Sequence, residues 1–338
     1  MLRGAFIGVG NVALRGHLPA WLARAGVALV AASDPSDAGR IELESRVPGI
    51  HWYARAEEML ASETLDFVDI CAPPAAHADL ARQALRSGRH VLCEKPLVVR
   101  LEDLQPLVEA SSRAERVLFT VLNWRHAPIL ARVRELVAEG VIGDIRRCLW
   151  ETVRREAALS SMARNWRMDP AVSGGGILTD HGWHAFSVLA DWFPQAPLRI
   201  AAHLEKRRGG VVEDTARVLL DYDGASAEVF LTWAGEERAN RVRIEGSQGA
   251  LALDGRVLEL TGPGGRRERW EFPEPLSQGS HHPDWFGGVI DGFTGEIADR
   301  RSRGRNLAAA GLCAALVTAA YESHRRGGEP PAFGRVRR

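Results

Sequence analysis

Along the first 120 residues or so, apolar positions fall in short, nearly uncharged blocks. "GAFIGV", "VALVAAS", "DFVDICA", "HVLCE" and "VLFTVL" are compact and rich in Val and Ile. Strands buried on both faces of a parallel sheet have this pattern. Between the blocks, "VALRGHLPAWLARA", "PAAHADLARQALRSG" and "LEDLQPLVEASSRA" repeat apolar residues at intervals of three and four, as amphipathic helices do. Strands alternating with helices predict right-handed crossovers and a doubly wound parallel sheet.

From about Gly143 the period changes to two. "DIRRCLWETVRRE", "RIAAHLEKRRG", "VVEDTARVLLDYDG", "ASAEVFLTWAGEE" and "NRVRIEGSQGALAL" alternate apolar with polar residues, with turns at "YDGAS" and "GSQGA". The pattern predicts a large, mostly antiparallel sheet with one covered and one open face. A helix, "SGGGILTDHGWHAFSVLADW", interrupts it, and two more, around Asp284–Arg301 and Asn306–His324, follow. The expected fold class is α/β. A Rossmann domain over 1–122 precedes an α+β domain over 123–338, whose last helices are free to pack back on the first.

Composition narrows the functional classes. At 338 residues, with 46% hydrophobic and 25% charged, the chain suits two soluble globular domains. Its 43 basic and 43 acidic residues balance, so neither nucleic acid nor an anionic membrane is expected as a partner. Cys71, Cys93, Cys148 and Cys313 form no CxxC pair, which points away from zinc and disulfides and toward free thiols in a reducing compartment. "MLRGAFIGVG" lacks a signal-peptide pattern, and "NLAAAGLCAALVTAAY" falls short of the roughly 20 residues of a membrane span. The expected location is the cytoplasm.

The first chemistry lies in Gly8-Val9-Gly10-Asn11-Val12-Ala13, a G-x-G-x-x-A sequence between a strand and a helix. The first glycine permits the tight turn, the second lets a pyrophosphate approach the backbone, and the small third residue lets helix and strand pack. The helix start then offers free N–H groups to the phosphates. Asp34 ends the second apolar block, 21 positions past Ala13, where an acid accepts ribose hydroxyls and repels a 2′-phosphate. NAD is therefore the expected cofactor, with NADP the alternative because Arg40 stands nearby. Asp180 and His184, four residues apart, fall on one side of the interrupting helix.

Together with this fingerprint, "ICAPPAAH", "CEKPL", "NWRHAP", "NWR" and "GGGILTDHGWH" resemble, in order and spacing, the Gfo/Idh/MocA family of oxidoreductases. The resemblance spans nearly the whole chain. It implies NAD(P)-dependent oxidation or reduction of a secondary alcohol or ketone on a sugar, cyclitol or related polyol. It also implies a homo-oligomer, dimer or tetramer, built through the open sheet. Lys95 matches the lysine of the family's "EKP" motif, and its ammonium could stabilise alkoxide character on the reacting oxygen. Asp180 and His184 match the family's aspartate and histidine. Histidine can take the hydroxyl proton and the carboxylate can orient the ring or grip a neighbouring hydroxyl. Gly174, Gly175 and Gly176 are expected to let the backbone pass close to nicotinamide or substrate.

Further cofactor contacts are expected from Ala72, Pro73, His77, Glu94 and Asn123, and substrate contacts from Arg125, Trp166 and Arg167. His281 and His282 are read as a loop near the mouth of the site. His181 and His184 lack a further ligand cluster at metal spacing, so no metal is expected. Many family members carry Asp where this chain has Ser187, which separates it from a close likeness to inositol dehydrogenase. Two rival functions share the fold: tightly held NAD driving another reaction such as redox-assisted hydrolysis, and a non-catalytic NAD(H) sensor.

Overall fold

The computed structural model describes residues 1–159 and 165–329. Six strands, β1 (Leu2–Ile7), β2 (Val27–Ser33), β3 (His51–Tyr53), β4 (Phe67–Ile70), β5 (His90–Cys93) and β6 (Leu118–Thr120), form one sheet. All are parallel, in the order β3-β2-β1-β4-β5-β6. The order reverses between β1 and β4, and at such a reversal a crevice opens beyond the carboxyl ends of the strands. Ala5, Phe6, Phe67, Val68, Val91 and Leu92 have no exposed surface, which explains why these strands read as unbroken apolar blocks. The three-residue β3 pairs only with β2 and carries no such block.

The second sheet has eight strands: β7 (Ile145–Val153), β8 (Arg199–Glu205), β9 (Thr215–Tyr222), β10 (Ala225–Thr232), β11 (Ala239–Gly246), β12 (Ala250–Asp254), β13 (Val257–Thr261) and β14 (Arg267–Glu271). Their order is β14-β13-β12-β11-β7-β10-β9-β8, antiparallel except for the β7–β10 pair. Cys148, Trp150 and Thr152 of β7 and Val229 and Leu231 of β10 are buried on one face. The other face carries the ion pairs Arg217–Glu228 and Arg241–Glu151 beside Leu219, which is 45% exposed.

Helices cover the inner face. Ile177–Trp192 and Arg305–Arg325 pack on each other, and the latter lies against β8, where the Ser323 hydroxyl accepts the Ala202 amide at 2.9 Å. The helix Pro283–Ala298 instead joins the parallel-sheet region. Phe293 meets Phe67 edge to face at 5.6 Å and Phe119 at 6.0 Å. Asn306 accepts the Thr120 amide at 2.6 Å and donates to the Thr120 carbonyl at 3.0 Å. The four cysteines are unpaired, with Cys93, Cys148 and Cys313 buried and Cys71 half-buried. Among the described residues, no helix is long and apolar enough to cross a membrane.

Candidate active site

The fingerprint turn leaves β1 at Gly8, whose φ of 91° favours glycine. A Cβ there would stand 2.6 Å from the Ala72 amide nitrogen, so only glycine lets this turn pass the end of β4. The Leu14 amide donates to the Gly10 carbonyl at 3.0 Å, so the helix starts just after Gly10, and its first amides, at Asn11–Ala13, have no intrahelical acceptor. Ala13 is fully buried where helix meets sheet. Beyond β2, the Asp34 carboxylate is clamped by the amides of Val9 at 2.7 Å and Ser36 at 2.8 Å. Arg40 is engaged with Glu44 at 2.7 Å rather than turned to Asp34. A glycine cradle that no side chain can enter, bordered by a fixed carboxylate, fits a dinucleotide with free ribose hydroxyls.

At the end of β5 the chain divides its charges. Lys95, followed by a cis bond to Pro96, donates from Nζ to Asp180 Oδ1 and to the Asp180 carbonyl, both at 2.7 Å. Arg167 Nε lies 3.6 Å and His181 Nδ1 3.4 Å from Asp180 Oδ2. Burial pushes the Asp180 carboxyl up, but Lys95 and Arg167 outweigh it and hold it well below the usual carboxylate range. One turn on, the His184 ring stacks on Trp124 at 4.6 Å and 13°, and its Nδ1 has no hydrogen-bond partner. Burial, with the charge of Lys95, holds the imidazole well below 6.5 and so neutral near pH 7.

Glu94 faces the opposite way. Its Oε2 accepts the Lys95 amide at 2.9 Å, and its Oε1 stands 3.0 Å from Nε2 of the fully buried His17. His17 Nδ1 is 2.8 Å from Asp69 Oδ2, which also accepts Trp21 Nε1 at 2.7 Å. Burial opposes a charge on His17, yet Asp69 overrides it and raises the imidazole well above 6.5. His17, Asp69 and Cys71 also place ligand-type atoms within 4.8 Å of one another.

Several expected contacts are placed differently. Asp180 does not hydrogen-bond His184, because the Lys95 ammonium takes its carboxylate. Arg125 is paired through Nε at 2.8 Å and through Nη2 with Asp191, at the far end of the same helix, so its guanidinium is directed away from Asp180. His77 is 1% exposed, with its ring nitrogens 2.7 Å from the carbonyls of Pro96 and Ala72, and therefore ties two loops together. The glycine run also answers to the protein itself. A Cβ on Gly175 would stand 1.9 Å from Tyr321 Oη, and one on Gly176 1.9 Å from the Glu213 carbonyl. Glu213 Oε1 accepts the amides of Gly176 and Leu178 and the Tyr321 hydroxyl, capping the helix. The Ser187 hydroxyl donates back to the His184 carbonyl at 2.8 Å.

Other expected residues converge. Trp166 stacks under the Arg167 guanidinium at 4.3 Å, and both line a shallow pocket with Asp180, Pro96 and Trp233. Asn123 is buried with its Oδ1 unpartnered. His282 stacks on Trp285 at 3.6 Å, and the His281 backbone borders Gly16. Sequence reasoning missed His17, Arg154, Trp233, Glu213 and Tyr321. Only the alternating phase of β7 and β10, continued one residue past each strand, could have flagged Arg154 and Trp233.

Comparison with known proteins agrees with this architecture. Residues 2–122 match the model of an oxidoreductase family with an NAD-binding Rossmann fold, and residues 130–252 match that of the GFO/IDH/MocA C-terminal domain. The D-apiose dehydrogenase of Paraburkholderia graminis is 29% identical over 293 residues, covering 82% of this chain and 74% of that protein. A D-xylose 1-dehydrogenase (NADP(+)) of Haloferax volcanii is 30% identical over 247 residues, covering 72% and 73%. An oxidoreductase from Agrobacterium radiobacter, solved with NAD+, L-tartaric acid and magnesium, superposes with a TM-score of 0.87 at 23% identity over 98% of each chain. The chain thus belongs to the Gfo/Idh/MocA family of NAD(P)-dependent oxidoreductases.

Proposed function

We propose that this chain interconverts a secondary alcohol and a ketone on a sugar-like substrate, with Lys95, Asp180 and His184 as its catalytic residues. The supporting observation is the Lys95 ammonium held 2.7 Å from Asp180 beside a neutral His184. Nicotinamide, when bound, supplies hydride acceptance or return. Lys95 has one ammonium N–H left after its two bonds to Asp180, and it offers that N–H as a hydrogen bond to the reacting oxygen, stabilising the negative charge that grows there while the hydroxyl proton leaves. His184 has a free lone pair near pH 7 and accepts the hydroxyl proton in oxidation. Asp180 holds and aims Lys95 through its two hydrogen bonds.

Gly8, Gly10 and the amides of Asn11, Val12 and Ala13 would hold the pyrophosphate, and Asp34 the adenosine ribose, which favours NAD. Ala72 and Pro73 flank the turn, while Asn123 and Glu94 border the nicotinamide end. The names of the apiose and xylose dehydrogenases support a sugar-type substrate. A division of the chain near residue 122, a homo-oligomer through the open sheet face and a cytoplasmic location complete the reading. Light scattering showing only a monomer in solution would remove the oligomer. For the chemistry, Lys95→Met and His184→Asn variants that still bind NADH are expected to lose turnover on the best of a sugar and polyol panel. Turnover equal to wild type in both would refute the assignment.

A further inference from the structure

Arg154 lies one residue beyond β7, in phase with the covered residues Cys148, Trp150 and Thr152. Its amide donates to the Thr232 carbonyl at 2.8 Å, which sets it beside Trp233, one residue beyond the parallel partner β10. Trp233 meets the His181 ring edge-on at 6.4 Å. Trp150 lies 6.0 Å from Trp124, the residue on which His184 stacks. Arg154 therefore continues the row of side chains that runs under the two histidines.

The guanidinium is buried, at 4% exposure, yet incompletely partnered. Nη1 donates to the carbonyls of Val153 at 2.8 Å and Ala239 at 2.9 Å, and no carboxylate pairs with it among the described residues. Burial, and after it the charge of Arg238, push it down to about 9, more than the charge of Asp180 raises it. Next to it, Asn240 is opposite Thr152 across the β7–β11 ladder and has no exposed surface, yet its Oδ1 and Nδ2 both lack partners. Trp233 Nε1 is also buried and unpartnered. Among the described residues, Asn240 and Trp233 thus hold buried polar atoms without partners beside the Arg154 guanidinium at one end of the sheet.

The charge around them is one-sided. Lys95, Arg154 and Arg167 are cationic; of the carboxylates, Asp180 already contacts Lys95, and the charge of Asp284 acts on His282. Burial holds His181 and His282 down at about 4, so neither is charged near pH 7.

We infer that Arg154 receives a carboxylate of the substrate, with Asn240 and Trp233 beside it. Resting on the oxidoreductase reading above, this makes the substrate a sugar acid or other hydroxy acid rather than a neutral polyol. A planar carboxylate matches a guanidinium edge through two parallel N–H···O bonds. A phosphate dianion would meet stronger repulsion from Asp180 than a carboxylate does.

The test compares aldonates and uronates with their neutral sugars and with sugar phosphates, by initial rates with NAD and by thermal stabilisation of the NADH-loaded enzyme. The acids are expected to exceed the neutral sugars in kcat/KM or in affinity by about 100-fold, the scale of a charge-assisted bidentate contact. Arg154→Met is expected to erase that preference, mainly through KM, with NADH affinity unchanged. Arg154→Lys, which keeps the charge, is expected to retain part of it. Neutral sugars or sugar phosphates preferred over acids would overturn the inference, as would neither turnover nor stabilisation by any acid. An Arg154→Met enzyme that keeps the acid preference would overturn it too. If Arg154→Met does not fold, the wild-type ranking and Arg154→Lys decide. Failure of NADH itself to bind would instead sink the oxidoreductase reading.

Discussion

Glu94 and Lys95 are adjacent in sequence and head two charge clusters that differ in one respect. Around Glu94, His17 and Asp69, the hydrogen bonds close: each imidazole nitrogen faces a carboxylate, Trp21 donates to the same Asp69 oxygen as His17, and the Lys95 amide donates to the second Glu94 oxygen. Around Lys95 and Asp180 they do not. Among the described residues, His184 Nδ1 and Trp233 Nε1 are buried with no hydrogen-bond partner, and His181 Nδ1 and Arg167 Nε reach no nearer than 3.4 Å to Asp180 Oδ2. A saturated polar network fixes a shape, whereas one left short of partners keeps donors and acceptors for something that arrives later. The dipeptide at the end of β5 thus joins a scaffold to a reactive centre.

The sharpest way to break this comparison is Lys95→Met. It is expected to lower kcat by about 10³-fold, the scale of removing one electrostatic stabiliser, with unfolding midpoint and NADH affinity little changed. A small rate effect would show that the open cluster is not the reactive one. Asp69→Ala tests the closed cluster. Stranding the His17 imidazolium beside Glu94 alone is expected to lower stability by about 3–5 kcal/mol in denaturant titration, while surviving enzyme keeps kcat within tenfold. A large kcat loss at unchanged stability would reverse the two roles.

The two histidines sharpen the contrast through pH. His17 is raised above 6.5 on folding, so the stability it adds is fully present below 6.5 and is lost as pH rises through its raised value. Glu94 is lowered below 4.5 despite burial, chiefly through its hydrogen bond to His17, so its share is present above 4.5 and is lost as pH falls through the lowered value. The stability gap between wild type and His17→Gln should therefore be widest between about 4.5 and 6.5 and narrow on the alkaline side. His184 is lowered, so the acid limb of kcat/KM for alcohol oxidation should lie below pH 6.5. A limb above 6.5 would argue against His184 as the base. The smallest effect is expected of Ser187→Ala, which removes one local bond to the His184 carbonyl. A stability change within about 1 kcal/mol and unaltered kcat are expected.

Much of this was readable in the sequence where burial and periodicity agree. "VALVAAS" is β2 to the residue, and the alternating second half became the eight-stranded sheet. The edge strands β3 and β14 leave no such mark, because β3 (HWY) carries no apolar block and β14 is chiefly charged. Lys95, Asp180 and His184 could be singled out because a motif surrounds each. His17 could not, since its partners lie 52 and 77 positions away. Arg154 was hidden in "VRRE" among other charged residues, where only strand phase separates a buried arginine from exposed ones. The three glycines are read as making room for nicotinamide or substrate, whereas Tyr321 and Glu213, from distant elements, stand against Gly175 and Gly176.

The amide of Asn306 has a consequence beyond its local geometry. A terminal strand leaves its outward N–H and C=O groups as a template on which a foreign strand can grow. At β6 that side chain meets Thr120 with one acceptor and one donor, as a neighbouring strand would, but from a helix that cannot extend the sheet. At Thr120 the sheet edge has found its partner within its own chain, and a passing peptide finds that residue's backbone groups already matched.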